Sequence, residues 1–144
     1  MFLMLIVMIG CKSNKISNSD RKIEENINKL VEVSKSVKIF INDNEYIINL
    51  EDNDTVNDFI NLLPIKLNMN ELNGNEKYVY LDTTLNSNSV MVKHINKGDV
   101  MLYGNNCLVI FYKSFDTSYS YTRIGHIDNL PEFGDENISV MIEK

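Results

Sequence analysis

The chain has 144 residues and a formal net charge of −6, and its hydrophobic fraction of 44% and charged fraction of 24% exclude a disordered chain. Its length suits one domain with a single core and is too short for two. Residues 12–36 carry a net charge of +2, so residues 37–144 carry −8, and this acidic balance predicts no nucleic-acid partner.

The first eleven residues predict a lipoprotein signal. Residues 1–9 form an unbroken apolar run, and the Gly10-Cys11 pair that follows fits the small residue and cysteine at which lipoprotein signal peptidase cleaves. We therefore expect residues 1–10 to be a signal peptide and Cys11 to be the lipidated residue. The lipid would anchor the protein to the cell membrane on its extracytoplasmic face. The apolar run is too short to span a bilayer, and a buried N-terminal strand is the alternative interpretation.

Residues 11–36 are expected to form a tether that is partly helical. Asp20 is a suitable cap for a helix that runs to about Ser34, because Ile23, Ile27, Leu30 and Val31 share one stripe at helical spacing. The mild positive charge of this segment would suit a position beside anionic lipid. It would equally suit an ordinary solvated linker.

Residues 37–144 read as a domain of short strands that begins with a hairpin. Two alternating segments, Val37–Ile41 and Tyr46–Leu50, flank Asp43-Asn44, a pair that tolerates the positive φ of hairpin turns. A short helix is predicted next, capped by Asp54 or Thr55 and stopped by Pro64. The further predicted strands are Ile65–Met69, Lys77–Leu81, Val90–Val92, Val100–Tyr103, Leu108–Lys113, Ser120–Ile124 and Ile138–Ile142. Eight or more short strands are typical of a closed or sandwiched antiparallel sheet.

One pattern points to a particular family. Its parts are a strand opened by Gly98-Asp99 and closed by Tyr103, a turn at Gly104–Asn106, and a second strand that ends in Phe111-Tyr112. With the upstream segment Leu72–Tyr78, this pattern resembles the bacterial cyclophilin-like domains, here in a lipoprotein member. The resemblance covers roughly Val37–Glu143. It implies a mainly β fold, a small cyclophilin-like β-barrel with one or two short helices.

A row of side chains near the C-terminal end of this pattern is the candidate ligand-binding site. Tyr119, Tyr121 and Arg123 are spaced by two, so they project from one face of an extended strand. Aromatic rings supply rigid apolar contact and the guanidinium supplies hydrogen-bond donors for a carbonyl or carboxylate. Alternatively, the rings cover one end of the barrel and Arg123 pairs with a carboxylate. The other aromatic residues assigned to the site are Tyr78, Tyr103 and Phe115.

Metal, cofactor and nucleophile motifs are not apparent. His94 and His126 have no metal-ligand spacing, and no glycine pattern for a phosphate or dinucleotide is present, so no metal and no cofactor are expected. Cys107 lies next to an apolar run and is expected to be a small core residue. Nucleophilic catalysis by Cys107 would need a positioned histidine, which the local sequence does not supply, although His94 or His126 could approach it in space.

Three functions remain open at this point. The first is a membrane-anchored module that binds a peptide, a protein segment or a small ligand outside the cytoplasm. The alternative, implied by the resemblance to cyclophilins, is a weak peptidyl-prolyl isomerase of exported proteins with Arg123 as its catalytic residue. The sequence departs from active cyclophilins because it has no tryptophan and no Arg followed by a Phe-Met-x-Gln run. The third is an accessory lipoprotein with protein contacts alone. The oligomeric state is left open.

Overall fold

The computed structural model describes residues 17–33 and 36–144, with side chains for residues 17–25 and from residue 36 onward. The predicted signal peptide and the predicted lipidation site Cys11 lie outside the described residues, and so do the side chains of Ile27, Leu30 and Val31 in the predicted tether helix. The helices are α1 (Asn18–Val33) and α2 (Asp54–Asn61). The strands are β1 (Ser36–Ile41), β2 (Asn44–Leu50), β3 (Ile65–Leu72), β4 (Glu76–Tyr80), β5 (Val90–Met91), β6 (His94–Ile95), β7 (Asp99–Tyr103), β8 (Cys107–Phe111), β9 (Phe115–Asp116), β10 (Ser120–Ile127) and β11 (Ile138–Glu143).

Helix α1 begins earlier than predicted. The backbone N–H of Asp20 donates to Ser17 Oγ at 3.2 Å, and the N–H of Ser17 donates to the Asp20 carboxylate at 3.1 Å. This reciprocal pair is a capping box, in which Ser17 is the cap and Asp20 lies in the first turn. The prediction that Asp20 caps the helix is therefore wrong, because the acidic residue reaches back to the true cap.

Eight antiparallel strands close into a barrel. Their order is β2-β1-β11-β3-β4-β8-β7-β10, and pairing of β10 with β2 completes the ring. Strand β5 pairs with the far end of β10, and β6 pairs with β9 in a separate two-stranded ribbon. The predicted mainly β fold, a small β-barrel, is confirmed.

The opening hairpin turns one residue earlier than predicted. Strands β1 and β2 pair from Ser36 with Asn49 to Ile41 with Asn44, which leaves Asn42 and Asp43 as the two turn residues. Both have positive φ values, 46° and 69°, as a two-residue turn of type I′ requires. Three consecutive Asn and Asp residues all tolerate this geometry, so composition alone did not locate the turn.

Helix α2 is capped by Asn53, and not by Asp54 or Thr55 as predicted. The Asn53 side-chain oxygen accepts the Val56 N–H at 2.9 Å, while its side-chain nitrogen donates to the Arg123 carbonyl of β10 at 2.9 Å. One side chain therefore caps the start of the helix and ties it to the barrel wall. Val56 and Phe59 are buried on the inner face of α2, where they join the barrel core.

Strands β7 and β8 are buried on both faces, and this determines where a site can form. Their alternate side chains Val100, Leu102, Leu108 and Ile110 point into the barrel and belong to its main core. The intervening Met101, Cys107, Val109 and Phe111 point outward into a second apolar cluster with Ile95 and Tyr121. We call this second group the outer cluster. Gly98, just before β7, has a φ of +97° and lies against β10, where a Cβ would collide with the Ile127 carbonyl oxygen.

A buried ion pair joins β4 to β3 and to the segment before β11. Lys77 of β4 is fully buried, and its ammonium donates to Glu71 Oε2 at 2.6 Å and to the carbonyls of Gly134 and Glu136 at 2.7 and 2.6 Å. The Tyr112 hydroxyl donates to the other Glu71 oxygen at 2.8 Å. All three ammonium protons thus have acceptors, which is the condition for tolerating a buried lysine.

None of the helices in residues 17–33 and 36–144 combines the length and the apolar character that a membrane-spanning helix needs.

Candidate ligand-binding pocket

The outer cluster forms the wall of a pocket on the outside of the barrel. The pocket lies over β4, β8, β7 and the start of β10, and the segment from Phe115 to Tyr119 borders it. Its volume of about 490 Å³ is in the range of small-ligand sites. Strand order explains its position, because β4, β8, β7 and β10 are consecutive neighbours in the barrel and present their outward side chains side by side.

Five tyrosines line the pocket, and they come from three strands and one loop. Tyr78 and Tyr80 lie on β4, Tyr103 ends β7, Tyr119 lies in the loop just before β10, and Tyr121 lies at the start of β10. The Tyr103 ring lies 5.6 Å from Tyr121 and 6.2 Å from Tyr119, and Tyr78 lies 6.0 Å from Tyr80, measured between ring centroids. These are ordinary separations for packed aromatic pairs, so the rings support one another.

Exposure divides the tyrosines into two kinds. Tyr121 is only 5% exposed and packs edge-on against Phe111 at 5.5 Å, so its ring belongs to the wall. Tyr80, Tyr103 and Tyr119 are 64%, 46% and 61% exposed, so their rings stand at the rim where a ligand can reach them. The pocket thus has a rigid aromatic wall and an accessible aromatic rim.

A carboxyl group lies within this aromatic surface. Glu76 begins β4 two residues before Tyr78, so both side chains point outward, and Glu76 is 9% exposed. Its carboxyl makes no hydrogen bond or ion pair with any of the residues that the structure describes. Burial, with a smaller contribution from the nearby charge of Glu71, raises the pKa of Glu76 to about 7. Glu76 therefore changes protonation near neutral pH.

Other polar groups around Glu76 remain neutral. Burial, reinforced by the charges of Glu76 and neighbouring tyrosines, raises the pKa of Tyr121 to about 12. Burial, followed by the charge of Glu76, also raises the pKa of the Cys107 thiol. Cys107 is 5% exposed, as expected of a small core residue, and a raised pKa opposes its use as a nucleophile. Asn75, which also lines the pocket, has a buried side-chain oxygen without a partner among the described residues.

The structure brings together five of the six residues assigned to the site from sequence: Tyr78, Tyr103, Phe115, Tyr119 and Tyr121. Arg123 is not among the residues that line this pocket. On β10 it lies opposite Met101 of β7, and its guanidinium lies 3.6 Å from the Asp99 carboxylate. Arg123 is therefore directed toward Asp99 and α2, away from the tyrosines. There it borders a separate polar cavity of about 550 Å³ together with Asn53, Thr55 and Asn88.

The two histidines each contact a carboxylate. His94 Nδ1 lies 2.6 Å from the exposed Asp116, and His126 Nδ1 lies 3.1 Å from the buried Asp99. Among residues 17–33 and 36–144, no group of three or more His, Cys, Asp or Glu side chains is arranged to hold a metal ion. Both histidines lie outside the lining of the tyrosine pocket.

Sequence reasoning missed Glu76. The predicted strand began one residue later, at Lys77, so Glu76 was not counted among the side chains of this strand. A usable signal was present, because Glu76, Tyr78 and Tyr80 alternate on one face of the same strand. The burial of that face could not be read from the strand itself. The residues that cover it lie 25 to 45 positions away in the chain, Phe115 and Tyr119 among them.

The closed antiparallel barrel, with an aromatic pocket on its outer wall, places this protein in the class of small, mainly β barrels. The family model described as Cyclophilin-like family matches residues 39–143. The chain therefore belongs to the cyclophilin-like family.

A solved structure has a similar fold. It is the solution structure of the hypothetical protein AF2241 from Archaeoglobus fulgidus, which is 23% identical and superposes with a TM-score of 0.53. The similarity covers 76% of this chain and 93% of that one. At this identity the similarity supports the fold alone. No curated protein matches the chain.

Proposed function

We propose that this protein is a binding module whose tyrosine pocket accepts a peptide segment or a small organic ligand, and that a lipid on Cys11 anchors it at the extracytoplasmic face of the cell membrane. The observation that carries the binding function is the concentration of exposed rings around one cavity. Tyr80, Tyr103 and Tyr119 are three of the eight exposed large hydrophobic side chains among the described residues, and all three border the same pocket.

Exposed aromatic rings around a cavity favour ligand binding over a purely structural role. Single exposed apolar side chains are normal on protein surfaces, whereas a contiguous apolar patch with a few polar groups marks an interaction site. Tyrosines provide large contact area with little loss of side-chain entropy, because only two torsions must be fixed. The buried Tyr121 and Phe111 hold this surface in place.

Binding is tested by titrating the protein with a panel of short peptides and aromatic small molecules while recording amide chemical shifts. We expect saturable shifts centred on β4, on the end of β7 and on Phe115–Tyr121. Tyr119→Ala should weaken the binding, since it removes a rim ring without disturbing the wall. Arg123→Ala is the matched control outside the pocket and should leave the affinity unchanged. A panel that produces no localised shifts would overturn the binding function.

Membrane anchoring is a separate part of the proposal and has its own test. Expression of the full chain in a bacterial host should place it in the membrane fraction, with a diacylglycerol-modified N-terminal cysteine detectable by mass spectrometry. Cys11→Ser should abolish the modification and release the protein from membranes. An unmodified Cys11 with an intact N-terminal segment would contradict the anchor and would leave the pocket's function untouched.

The isomerase alternative assigned catalysis to Arg123 over an aromatic surface. The position of Arg123 offers it no support, because the guanidinium faces Asp99 and lies outside the tyrosine pocket. The binding function is therefore the one we put forward.

A further inference from the structure

The tyrosine pocket contains a carboxyl group that has no partner within the described part of the protein. Glu76 is more than nine-tenths buried, lines the pocket, and has no hydrogen-bonding or ionic partner among the described residues. Its oxygens still reach the open pocket, because the Asn75 side-chain oxygen is the single buried polar side-chain atom without a partner among the described residues. The other carboxylate of the pocket, Asp116, already has His94 at 2.6 Å and is largely exposed. Glu76 is thus the carboxyl that a ligand can complete.

The charges around Glu76 do not supply that partner. The residues that line the pocket include two carboxyl groups and, in the described part of the chain, no lysine, arginine or histidine. The nearest buried cation, Lys77, points to the opposite face of β4 and is fully engaged by Glu71 and two carbonyls. The oxygen of Asn75, also without a partner among the described residues, adds acceptor character nearby but is itself fully buried. This side of the pocket therefore has an excess of hydrogen-bond acceptors and negative charge.

The tyrosine rings, like the carboxyl group, attract a positively charged ligand. The face of an aromatic ring is electron-rich and attracts a cation placed over it, more strongly when water is excluded. Five such rings border the cavity, and the raised pKa of Tyr121 keeps its hydroxyl neutral. An aromatic enclosure with a carboxyl group on its wall is complementary to an alkylammonium group, whose methyl or methylene groups contact the rings while its charge meets the carboxylate.

We infer that the pocket recognises an alkylammonium group and that Glu76 is its anionic counterpart. This inference rests on the proposed binding function and specifies the chemistry of the ligand. The ammonium group belongs either to a small molecule or to a lysine side chain of a peptide, and both present the same chemistry to Glu76.

Recognition should depend on pH because Glu76 must be ionised to pair with a cation. The titratable groups around it are Glu71 of β3, Tyr78 of β4, Tyr103 of β7, Cys107 of β8, Tyr121 of β10 and, at the rim, Asp116 of β9. Since the pKa of Glu76 is about 7, the carboxylate form becomes dominant as the pH rises above neutrality. Affinity for an ammonium ligand should increase over the same range, while affinity for a neutral ligand should not.

The first test compares choline with 3,3-dimethyl-1-butanol, which has the same shape but a carbon atom in place of the charged nitrogen. Each is titrated into the full chain at about pH 8.5 while amide chemical shifts are recorded. We expect choline to bind about tenfold more tightly than its isostere. A second pair, a blocked Gly-Lys-Gly peptide and its norleucine counterpart, shows whether the ammonium of a small molecule or of a peptide is preferred.

Variants then assign the preference to a residue. Glu76→Gln keeps the size of the side chain and removes the charge, so choline should bind it no more tightly than the isostere does. Asp82→Asn removes an exposed carboxylate just beyond β4 and should retain the full preference. In the unmodified protein, the preference should fall at least severalfold between about pH 8.5 and about pH 5.5, which tests Glu76 even where Glu76→Gln fails to fold.

Each outcome bears on the inference separately from the proposed function. Equal binding of the charged and neutral ligands would overturn recognition of ammonium while supporting a ligand-binding pocket. A preference that survives Glu76→Gln would overturn the role of Glu76. Failure of both charged probes to bind would also overturn the inference, and the peptide and aromatic panel would then decide the binding function alone.

Discussion

Two consecutive residues of β4 are buried and charged, and they lie in opposite environments. Lys77 points into the barrel and donates to three oxygens within 2.7 Å. Glu76 points outward into the tyrosine pocket, where its carboxyl has no partner among the described residues. Successive side chains of a strand point to opposite faces. The two neighbouring residues therefore differ in that Lys77 has acceptors within the protein, whereas Glu76 has no partner among the described residues.

The comparison shows how structure and function are divided in this barrel. Burial by itself would raise the pKa of Glu71, but hydrogen bonds from Lys77, Tyr112 and the Gly74 N–H outweigh it and hold that pKa below its usual range. Burial without such partners leaves the pKa of Glu76 raised. The inner face therefore stabilises its charges with internal contacts, whereas the outer face keeps an acceptor available for a ligand.

The largest effect is expected on the inner face. Lys77→Met removes the ammonium and leaves the Glu71 carboxylate and two carbonyls without their donor, which should lower the free energy of unfolding by about 4 kcal/mol. Lys66→Met, an exposed lysine on the neighbouring β3, should change it by less than about 0.5 kcal/mol. Urea denaturation of both variants provides the measurement. A loss below about 1 kcal/mol for Lys77→Met would mean that the network does not stabilise the barrel.

The second prediction separates the wall of the pocket from its rim. Tyr121→Ala should reduce stability by about 3 kcal/mol, because a ring that is 5% exposed and packed on Phe111 leaves a cavity. Tyr119→Ala should reduce it by less than about 0.5 kcal/mol, because that ring is 61% exposed. Thermal unfolding measures both. Equal losses would show that the rim tyrosine also belongs to the folded core and is not held free for a ligand.

The third prediction concerns the pH dependence of stability. The pKa of Glu76 is about 7 in the folded protein, against 4.5 for an unperturbed glutamate, so between these pH values the folded state retains a proton that the unfolded state has lost. The contribution of Glu76 is thus fully present below about pH 4.5 and is lost as the pH rises through about 7. The full shift corresponds to about 3 kcal/mol, which solvent screening in the open pocket reduces to about 2 kcal/mol. Glu71, with its lowered pKa, acts in the opposite sense and loses its contribution as the pH falls below its usual range.

Glu76→Gln isolates this contribution. Relative to the unmodified protein, the variant should gain about 2 kcal/mol of stability as the pH rises from about 4.5 to above 7. Asp82→Asn, which removes an exposed carboxylate, should give a curve parallel to that of the unmodified protein. Urea denaturation across this pH range makes the comparison. A constant difference between Glu76→Gln and the unmodified protein would show that Glu76 titrates normally and is well solvated.

Most strands of the barrel could be predicted from the sequence, because their side-chain pattern is visible over a few neighbouring residues. The double burial of β7 and β8 appears as nearly continuous apolar runs, and the family pattern around Gly98 and Phe111 falls on these strands. Short-range chemistry left ambiguities of one residue, since Asn42, Asp43 and Asn44 all suit a turn and Asn53, Asp54 and Thr55 all suit a cap. The two-residue strands β6 and β9 have too few positions to show a period.

The candidate site was less accessible to sequence reasoning because it depends on strand register. The tyrosines of β4, β7 and β10 meet only because of the strand order, in which β8 and β7 pair with each other and lie between β4 and β10. A spacing of two placed Arg123 on the face of Tyr121 but could not show which residues lie opposite each of them. Across β7, Arg123 pairs with Met101, nearer to Asp99 and farther from the tyrosines.

The smallest effect is expected at Arg123, and it tests where the pocket ends. Arg123→Ala should lower stability by less than about 1 kcal/mol, because its side chain is 40% exposed and Asp99 keeps the Asn96 N–H and His126 as partners. Affinity for the ligands of the tyrosine pocket should stay within about twofold. Amide shift titrations and cis/trans exchange in X-Pro peptides, recorded by NMR on both proteins, measure these effects. Accelerated exchange that disappears in Arg123→Ala would instead place an isomerase centre at the Asp99 side of β10, and the tyrosine pocket would then be the secondary site.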